Sequence, residues 1–392
     1  MKKTIKDIDV ANKTVFLRVD FNVPLDESGM ITDDTRIRVE LPTIRYLLQH
    51  NAKVIICSHL GRPNGEKNPK YSLLPVAKYL VKELLGRVFF ASDCIGTEVE
   101  TKAKLLKPGE VLLLENVRFY KEEENNDPIF AKKLASLADI YVDDAFGTAH
   151  RKHASNYGVA KLLPNAVGFL MGKEINAIKS VIDNPDRPLV AILGGAKVSD
   201  KIQLLNHLVE KCNTLLIGGG MAYTFLKAEG YEIGDSLVDD EKIDTAKEIV
   251  QKAKENNVKI VLPVDFLCAT EFSPNAKAKK FKTSIPAGYQ GLDIGPKTIK
   301  LFKKEILIAN SIIWNGPLGV SEFKNFSKGT VAIAKLVLKF KGKAVIGGGD
   351  SVSAIKKVGN TDKIYHVSSG GGASLKLMAG ESLPGVDVIE DV

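Results

Sequence analysis

Short apolar runs rich in β-branched residues alternate with longer amphipathic stretches along the whole chain. This alternation restricts the fold more than any other feature of the sequence. In the first half, Thr14–Val19, Lys53–Cys57, Val111–Leu114 and Ile140–Val142 read as strands, with a weaker candidate at Val88-Phe89-Phe90. Between them, Arg36–His50, Leu73–Leu85 and Pro128–Leu137 carry apolar residues at helical spacing. In the second half, the predicted strands are Leu189–Leu193, Thr214–Ile217, Lys259–Val264, Ser311–Trp314, Ala344–Ile346 and Lys363–Val367. The intervening helices are Asp200–Val209, Asp239–Glu255, Gly295–Ile308 and Ser327–Phe340. Such spacing predicts parallel sheets covered on both faces, in two doubly wound α/β domains. The boundary falls within Leu163–Asp186, where Pro164-Asn165 ends one element, Met171–Ile182 reads as a helix and Asn184-Pro185-Asp186-Arg187-Pro188 breaks the chain. A helix joining two lobes suits a hinge.

Composition sharpens this outline. The 392 residues match two to three domains of ordinary size, and 44% apolar content excludes wholesale disorder. No apolar run is long enough to cross a bilayer, and the start, Met1-Lys2-Lys3-Thr4-Ile5-Lys6-Asp7, lacks a signal-peptide apolar stretch. Cys57, Cys94, Cys212 and Cys268 are scattered with no CxxC pair, as expected for reduced thiols in a cytoplasmic protein. The 55 Lys and Arg outnumber 47 Asp and Glu, giving a formal charge of +8. All nine arginines (18, 36, 38, 45, 62, 87, 118, 151 and 187) precede residue 188. Four glycine clusters follow it: Gly194-Gly195, Gly218-Gly219-Gly220, Gly347-Gly348-Gly349 and Gly370-Gly371-Gly372. Arginine is the forked ligand of carboxylate and phosphate, whereas glycine lets backbone approach a phosphate.

Each glycine cluster follows a predicted strand, where open α/β sheets bind ligands. One such turn is ordinary strand–helix packing; four point to phosphate. Neither GxxxxGK[ST] nor a strand-borne GxGxxG is present, which excludes a P-loop and the dinucleotide fingerprint. Lys197 and Lys201 lie four apart after Gly194-Gly195 and share a face if a helix begins near Lys197. They are either solvated surface lysines or phosphate ligands. Asp350 is either a helix cap or a carboxylate beside a magnesium–phosphate complex. In the first half, Asp20 and Asn22 project the same way at one strand end. Ser58-His59-Leu60-Gly61-Arg62-Pro63, Glu115-Asn116-Val117-Arg118-Phe119 and His150-Arg151-Lys152-His153 follow others. Cationic groups at several strand ends outline an anion pocket. His150 and His153 form an HxxH with no nearby acid ligand, a weak metal signal.

Arg18-Val19-Asp20-Phe21-Asn22-Val23-Pro24 resembles the N-terminal signature of the phosphoglycerate kinase family. Ser58–Pro63, Glu115–Phe119, Asp144–Arg151, Gly194–Lys201, Trp314–Val320, Gly347–Ser351 and Ser368–Ser374 resemble its further blocks, in order over essentially the whole chain. The resemblance implies two Rossmann-like lobes joined by a hinge helix: an N-terminal domain (1–166) for 3-phosphoglycerate, a hinge helix with the nucleotide domain (167–382), and a tail (383–392) returning to the first. It places 3-phosphoglycerate or 1,3-bisphosphoglycerate on Asp20, Asn22, Arg36, His59, Arg62, Arg118 and Arg151. It places ATP or ADP on Gly194, Lys201, Gly219, Gly291, Asn315, Pro317, Glu322, Gly348, Gly349, Asp350 and Ser351, with Asp350 toward Mg2+. Arg36 and Lys197, with the Gly349 and Gly372 amides, match the groups acting on the transferred phosphoryl.

The implied reaction is reversible phosphoryl transfer between 1,3-bisphosphoglycerate and ADP. No motif suggests a serine or cysteine nucleophile held by histidine, in keeping with direct in-line transfer. The expected protein is a cytoplasmic monomer, with no nucleic-acid or membrane partner. A nicotinamide-dependent dehydrogenase shares doubly wound lobes but needs the missing fingerprint. A nucleic-acid-binding role draws on the +8 charge, yet acids interleave with the basic residues and no binding motif occurs.

Overall fold

Continuous apolar runs such as Val15-Phe16-Leu17 and Val54-Ile55-Ile56 are buried on every side, the pattern of strands with helices on both faces. The computed structural model describes residues 1–392. It divides into two units, Met1–Ile175 with Ser382–Val392, and Asn176–Glu381. The first contains β1 (Thr14–Arg18), β2 (Lys53–Cys57), β3 (Val88–Phe90), β4 (Val111–Leu113), β5 (Ile140–Asp143) and β6 (Asn165–Val167). They form one parallel sheet in the order β3-β4-β2-β1-β5-β6.

The second unit contains β7 (Leu189–Leu193), β8 (Thr214–Ile217), β9 (Lys259–Val261), β10 (Asp265–Ala269), β11 (Lys279–Lys282), β12 (Gln290–Ile294), β13 (Ser311–Asn315), β14 (Lys343–Gly347) and β15 (His366–Val367). Its main sheet, β15-β14-β13-β7-β8-β9, is again parallel. This is the doubly wound order: the chain adds strands outward from β7 to β9 on one side and from β13 to β15 on the other, so the winding reverses between β7 and β13. Trp314, Phe302 and Ile346 are among the fully buried residues of its core.

Several sequence expectations need correction. The run Lys259–Val264 is two elements: β9 ends at Val261, and after Pro263 the chain enters β10 of a separate antiparallel sheet, β11-β10-β12. Proline has no N–H for a ladder, which ends pairing there. Only His366–Val367 of the predicted Lys363–Val367 pairs. A single tight turn, Ser199–Lys201, precedes helix Ile202–Leu208, so Lys197 lies outside the helix and helical phase does not align it with Lys201. Helices Thr97–Leu105 and Met221–Ala228 and the short strand β6 were not anticipated. No helix is long and apolar enough to cross a membrane, and all four cysteines are free and buried.

The C-terminal segment packs on the first unit. Lys3 N–H donates to the Glu390 carbonyl at 2.9 Å, Gly385 N–H to Ala149 at 2.8 Å and Val392 N–H to Met1 at 2.9 Å. Lys2–Asp391 and Lys3–Glu390 ion pairs flank this seam. Helix Phe169–Ile182 starts in the first unit and ends in the second. Its first turn is held by β5 and its neighbours: Met171 N–H donates to Asp144 Oδ1 at 2.8 Å, and Phe169 N–H to Thr43 Oγ1 at 3.0 Å. Thr43 Oγ1 in turn donates to Asp144 Oδ2 at 2.5 Å. A carboxylate at a helix N-terminus satisfies amides that have no intrahelical acceptor.

Burial pushes the Asp144 carboxyl up to about 6 and that of the adjacent Asp143 up to about 7. Both bind a proton more tightly folded than in the free chain, where the value is about 3.9. Their contribution is therefore fully present at acid pH below that value and is lost as pH rises through the folded values. Urea denaturation of wild type and Asp144→Asn should show the wild-type advantage shrinking, by on the order of 1–3 kcal/mol, between about pH 4 and pH 7. An advantage that grows with pH would contradict this sign.

Candidate active site

Past the end of β1, the Asp20 carboxylate meets two cationic or donor groups. Its Oδ2 accepts from Arg36 Nη1, and its Oδ1 lies 3.8 Å from His59 Nε2. Arg36 is placed by the first turn of helix Thr35–Gln49, and His59 by the segment after β2. Burial alone would raise the Asp20 pKa, but the Arg36 and Arg18 guanidinium groups hold it below the ordinary carboxylate value. Asn22 follows, with its N–H on Asp20 Oδ1 at 3.2 Å and its Oδ1 accepting from Gly61 N–H at 2.9 Å. The Gly61 carbonyl accepts from Arg118 Nη1 at 2.8 Å. Burial, with Arg18 and Arg151 nearby, lowers the Arg118 guanidinium to about 10.

The structure thus joins Asp20, Asn22, Arg36 and Arg118 through hydrogen bonds and sets His59 beside Asp20. Arg151 donates from Nε to His150 Nε2 at 3.2 Å. Arg62 is exposed and makes no bond to the protein. Arg118 Nε also pairs with Glu124 Oε1 at 3.4 Å, so Arg36, Arg62, Arg118 and Arg151 face two carboxylates, Asp20 and Glu124, and keep cationic capacity for a small polyanion. Gly147, to which sequence reasoning gave no separate role, closes this site from the β5 side. A Cβ there would fall 2.5 Å from Asp20 Oδ2.

In the second unit, the carboxyl ends of β7, β8 and β13 meet backbone to backbone. Gly194 N–H donates to Asn315 O at 3.0 Å, Gly195 N–H to Pro317 O at 3.0 Å and Gly219 N–H to Leu318 O at 3.2 Å. A Cβ on Gly194 would sit 1.9 Å from the Pro317 carbonyl oxygen, and one on Gly219 2.8 Å from Gly195 N. These amides are spent on carbonyls of the β13 turn and are not free to meet a phosphate. The glycines there permit close approach. Free amides occur instead at the start of helix Gly349–Val358, where Gly349, Asp350 and Ser351 lack intrahelical acceptors. The Ser351 hydroxyl accepts from Gly316 N–H at 2.6 Å, tying this helix to the β13 turn. Helix Gly372–Met378 begins at the remaining glycine cluster.

Lys201 Nζ donates to Asn315 Oδ1 at 2.5 Å and to Asn315 O at 3.1 Å. Burial lowers its pKa to about 8, against the pull of Asp350 and Asp200. Asn315 Nδ2 is buried with no protein partner, a donor awaiting an acceptor. Lys197 is exposed beside this turn. A cavity of about 410 Å³ opens at the topological switch point, lined by Gly219, Gly291 and Pro317. Its walls pair the apolar Tyr223, Leu237 and Phe272 with the carboxylates of Glu322 and Asp350. An adjoining cavity of about 610 Å³ shares Glu322 and Asp350. An apolar slot with polar groups at one end fits a heteroaromatic base joined to a polar chain.

Asp350 is exposed, and its side chain makes no bond to the protein. No three metal-ligating side chains cluster anywhere in the chain. A single hard carboxylate beside free amides suits magnesium, which keeps most of its sites for water and phosphate oxygens. Sequence reasoning missed Tyr223, Leu237 and Phe272, since an apolar wall looks the same as core in a sequence. It also assigned Arg18 no role, although strand alternation puts Arg18 in phase with Asp20.

A family model described as phosphoglycerate kinase matches residues 5–381. The curated phosphoglycerate kinase of Koribacter versatilis is 54% identical over 399 residues, covering 99% of each chain. Phosphoglycerate kinase 3, cytosolic, of Arabidopsis thaliana is 53% identical, covering 99% of this chain and 98% of its own. The solved structure of phosphoglycerate kinase from Coxiella burnetii superposes with a TM-score of 0.90 at 41% identity, over 99% of this chain and 98% of that one. Family match, relatives and structural neighbour agree over nearly the full length, and the chain belongs to the phosphoglycerate kinase family.

Proposed function

We propose that the first unit holds 3-phosphoglycerate and the second holds the nucleotide, for reversible phosphoryl transfer from 1,3-bisphosphoglycerate to ADP. The observation that carries this is the pairing of an arginine-rich cluster around Asp20 with a base-sized cavity at the second sheet's switch point. Asp20, Asn22, Arg36, His59, Arg62, Arg118 and Arg151 bind the phosphorylated acid. The nucleobase enters the cavity walled by Leu237, Phe272 and the Tyr223–Gly291 contact, and Glu322 faces the ribose. Gly194, Gly219 and Pro317 shape the floor, while Lys201, Asn315 and the Gly348–Ser351 turn meet the phosphates. Asp350 would hold the magnesium ion, which would supply charge neutralisation to the nucleotide phosphates.

The nucleophile in the direction of ATP consumption is the carboxylate of 3-phosphoglycerate, which is ionised at neutral pH and needs no general base. The protein's task is alignment and stabilisation of charge on the equatorial oxygens. Lys197 and Arg36 supply that charge, and the Gly349 and Gly372 amides supply further donors. Substrates on separate units must approach to about 3–3.5 Å, so closure about helix Phe169–Ile182 accompanies turnover and excludes water from the acyl phosphate. A coupled assay should show ATP-dependent phosphorylation of 3-phosphoglycerate with magnesium and its loss on chelation; activity unchanged by chelator overturns the metal's role.

Lys197→Ala should lower kcat about 100- to 1000-fold with little change in either KM, because its charge acts in the transition state. Arg62→Ala should instead raise KM for phosphoglycerate about tenfold, since it removes a ground-state ligand. A reversal of these two patterns would exchange the roles. Small-angle scattering should show compaction only with both substrates bound, and identical profiles with and without them would remove the closure step.

A further inference from the structure

Arg18 is 1% exposed and lies behind the strand-end cluster, bonded to His59. Its fork reaches three acceptors: Nη1 donates to the Val19 carbonyl, Nε to Ser155 Oγ at 2.8 Å and Nη2 to His59 Nδ1 at 3.1 Å. Behind it stands a second buried charge-bearing group. Ser155 donates from its backbone N–H to Glu123 Oε2 at 2.9 Å and from Oγ to Glu123 Oε1 at 2.6 Å. Ser155 and Glu123 are both fully buried. The single hydroxyl proton of Ser155 is spent on Glu123, which leaves its lone pair for Arg18 Nε and fixes the direction of the whole chain of bonds.

The consequence falls on His59. A guanidinium has five N–H donors and no acceptor, so the His59 Nδ1 facing it must carry a lone pair. The one ring proton of the neutral imidazole then sits on Nε2. That nitrogen points toward Asp20 Oδ1 at 3.8 Å, beyond hydrogen-bond distance, so its proton is unspent in the pocket. The charged groups around His59 are Asp20, Arg18, Arg118 and Arg36. Burial and the three arginines hold the imidazole well below its ordinary pKa against the pull of Asp20, so it stays neutral.

We propose that Arg18, braced by Ser155 and Glu123, is a positioning residue that locks His59 in its Nε2–H tautomer, so that His59 serves the phosphoglycerate pocket as a hydrogen-bond donor. The proposal rests on the reading of the Asp20–Arg36–His59 cluster as the phosphoglycerate site. Lysine at position 18 keeps the charge but cannot span the three acceptors, because its donors radiate from one nitrogen. A merely structural role for Arg18 predicts loss of stability with no preference between tautomers.

The test uses the labelled full-length chain. Long-range proton–nitrogen correlation spectra, with His59 assigned through His59→Gln, should show the Nε2–H pattern in wild type without substrate, unchanged from about pH 5.5 to 8.5. Arg18→Lys and Ser155→Ala should each produce a mixture of tautomers. Arg18→Lys should raise KM for phosphoglycerate about tenfold, leaving nucleotide KM within about twofold. An Nδ1–H pattern in wild type overturns the lock. So does a wild-type tautomer and phosphoglycerate KM in Arg18→Lys, or a parallel rise in both KM values. Should Arg18→Lys not fold, the wild-type spectrum and the milder Ser155→Ala decide the matter. The two readings fail separately: the tautomer is read with no substrate present, whereas the pocket's assignment falls with an unchanged phosphoglycerate KM in Arg62→Ala.

Discussion

Parallel pairing forces every strand of a sheet to release its chain at the same edge, and the placement of all the chemistry here follows from that constraint. In the first unit, β1, β2, β4 and β5 deliver Asp20, His59, Asn116 and Asp144 to one rim. In the second, β7, β8, β13 and β14 deliver four glycine-bearing turns to another. Residues more than a hundred positions apart, such as Arg18 and Ser155 or Lys201 and Asn315, become hydrogen-bonded neighbours. An antiparallel arrangement would scatter the same groups between two edges.

The two rims solve opposite problems. The first has to hold charge in a buried setting, and it does so with alternating cations, neutral imidazoles and carboxyls whose ionisation is governed by their neighbours. The second has to let backbone come near other backbone, and it does so by omitting side chains. Gly194, Gly219 and Gly316 interlock so closely that a methyl group would meet a carbonyl oxygen or a backbone nitrogen. Specific contacts are then left to Lys201, Asn315 and the exposed carboxylates of the cavity.

The buried strands were legible because an apolar run bounded by polar turns has few other readings. β2 and β7 begin and end at the residues expected from the sequence. The small antiparallel sheet was illegible for a physical reason. Lys279-Lys280-Phe281-Lys282 of β11 is mostly exposed, and its pairing comes from tertiary context that no apolar pattern reports. Among the site residues, motif spacing revealed groups at strand ends but not how their hydrogen bonds are spent. The amides of Gly194 and Gly219 illustrate this, since only the fold shows that their acceptors are other turns. Arg18 illustrates the converse, because a buried arginine and a surface arginine look alike until Ser155 and Glu123 are seen behind it.

The seam between Met1–Lys3 and Glu390–Val392 makes the first unit discontinuous along the chain. During synthesis its main body emerges first, then all of the second unit, and only afterwards the segment from Ser382 onward that completes it. The Gly385–Ala149 bond adjoins His150 and Arg151, so the arginine-bearing rim gains its last support late in translation. The second unit, continuous in sequence, carries no such delay. Assembly order is thereby the reverse of genetic order: the later-encoded unit reaches its full complement of residues before the earlier one.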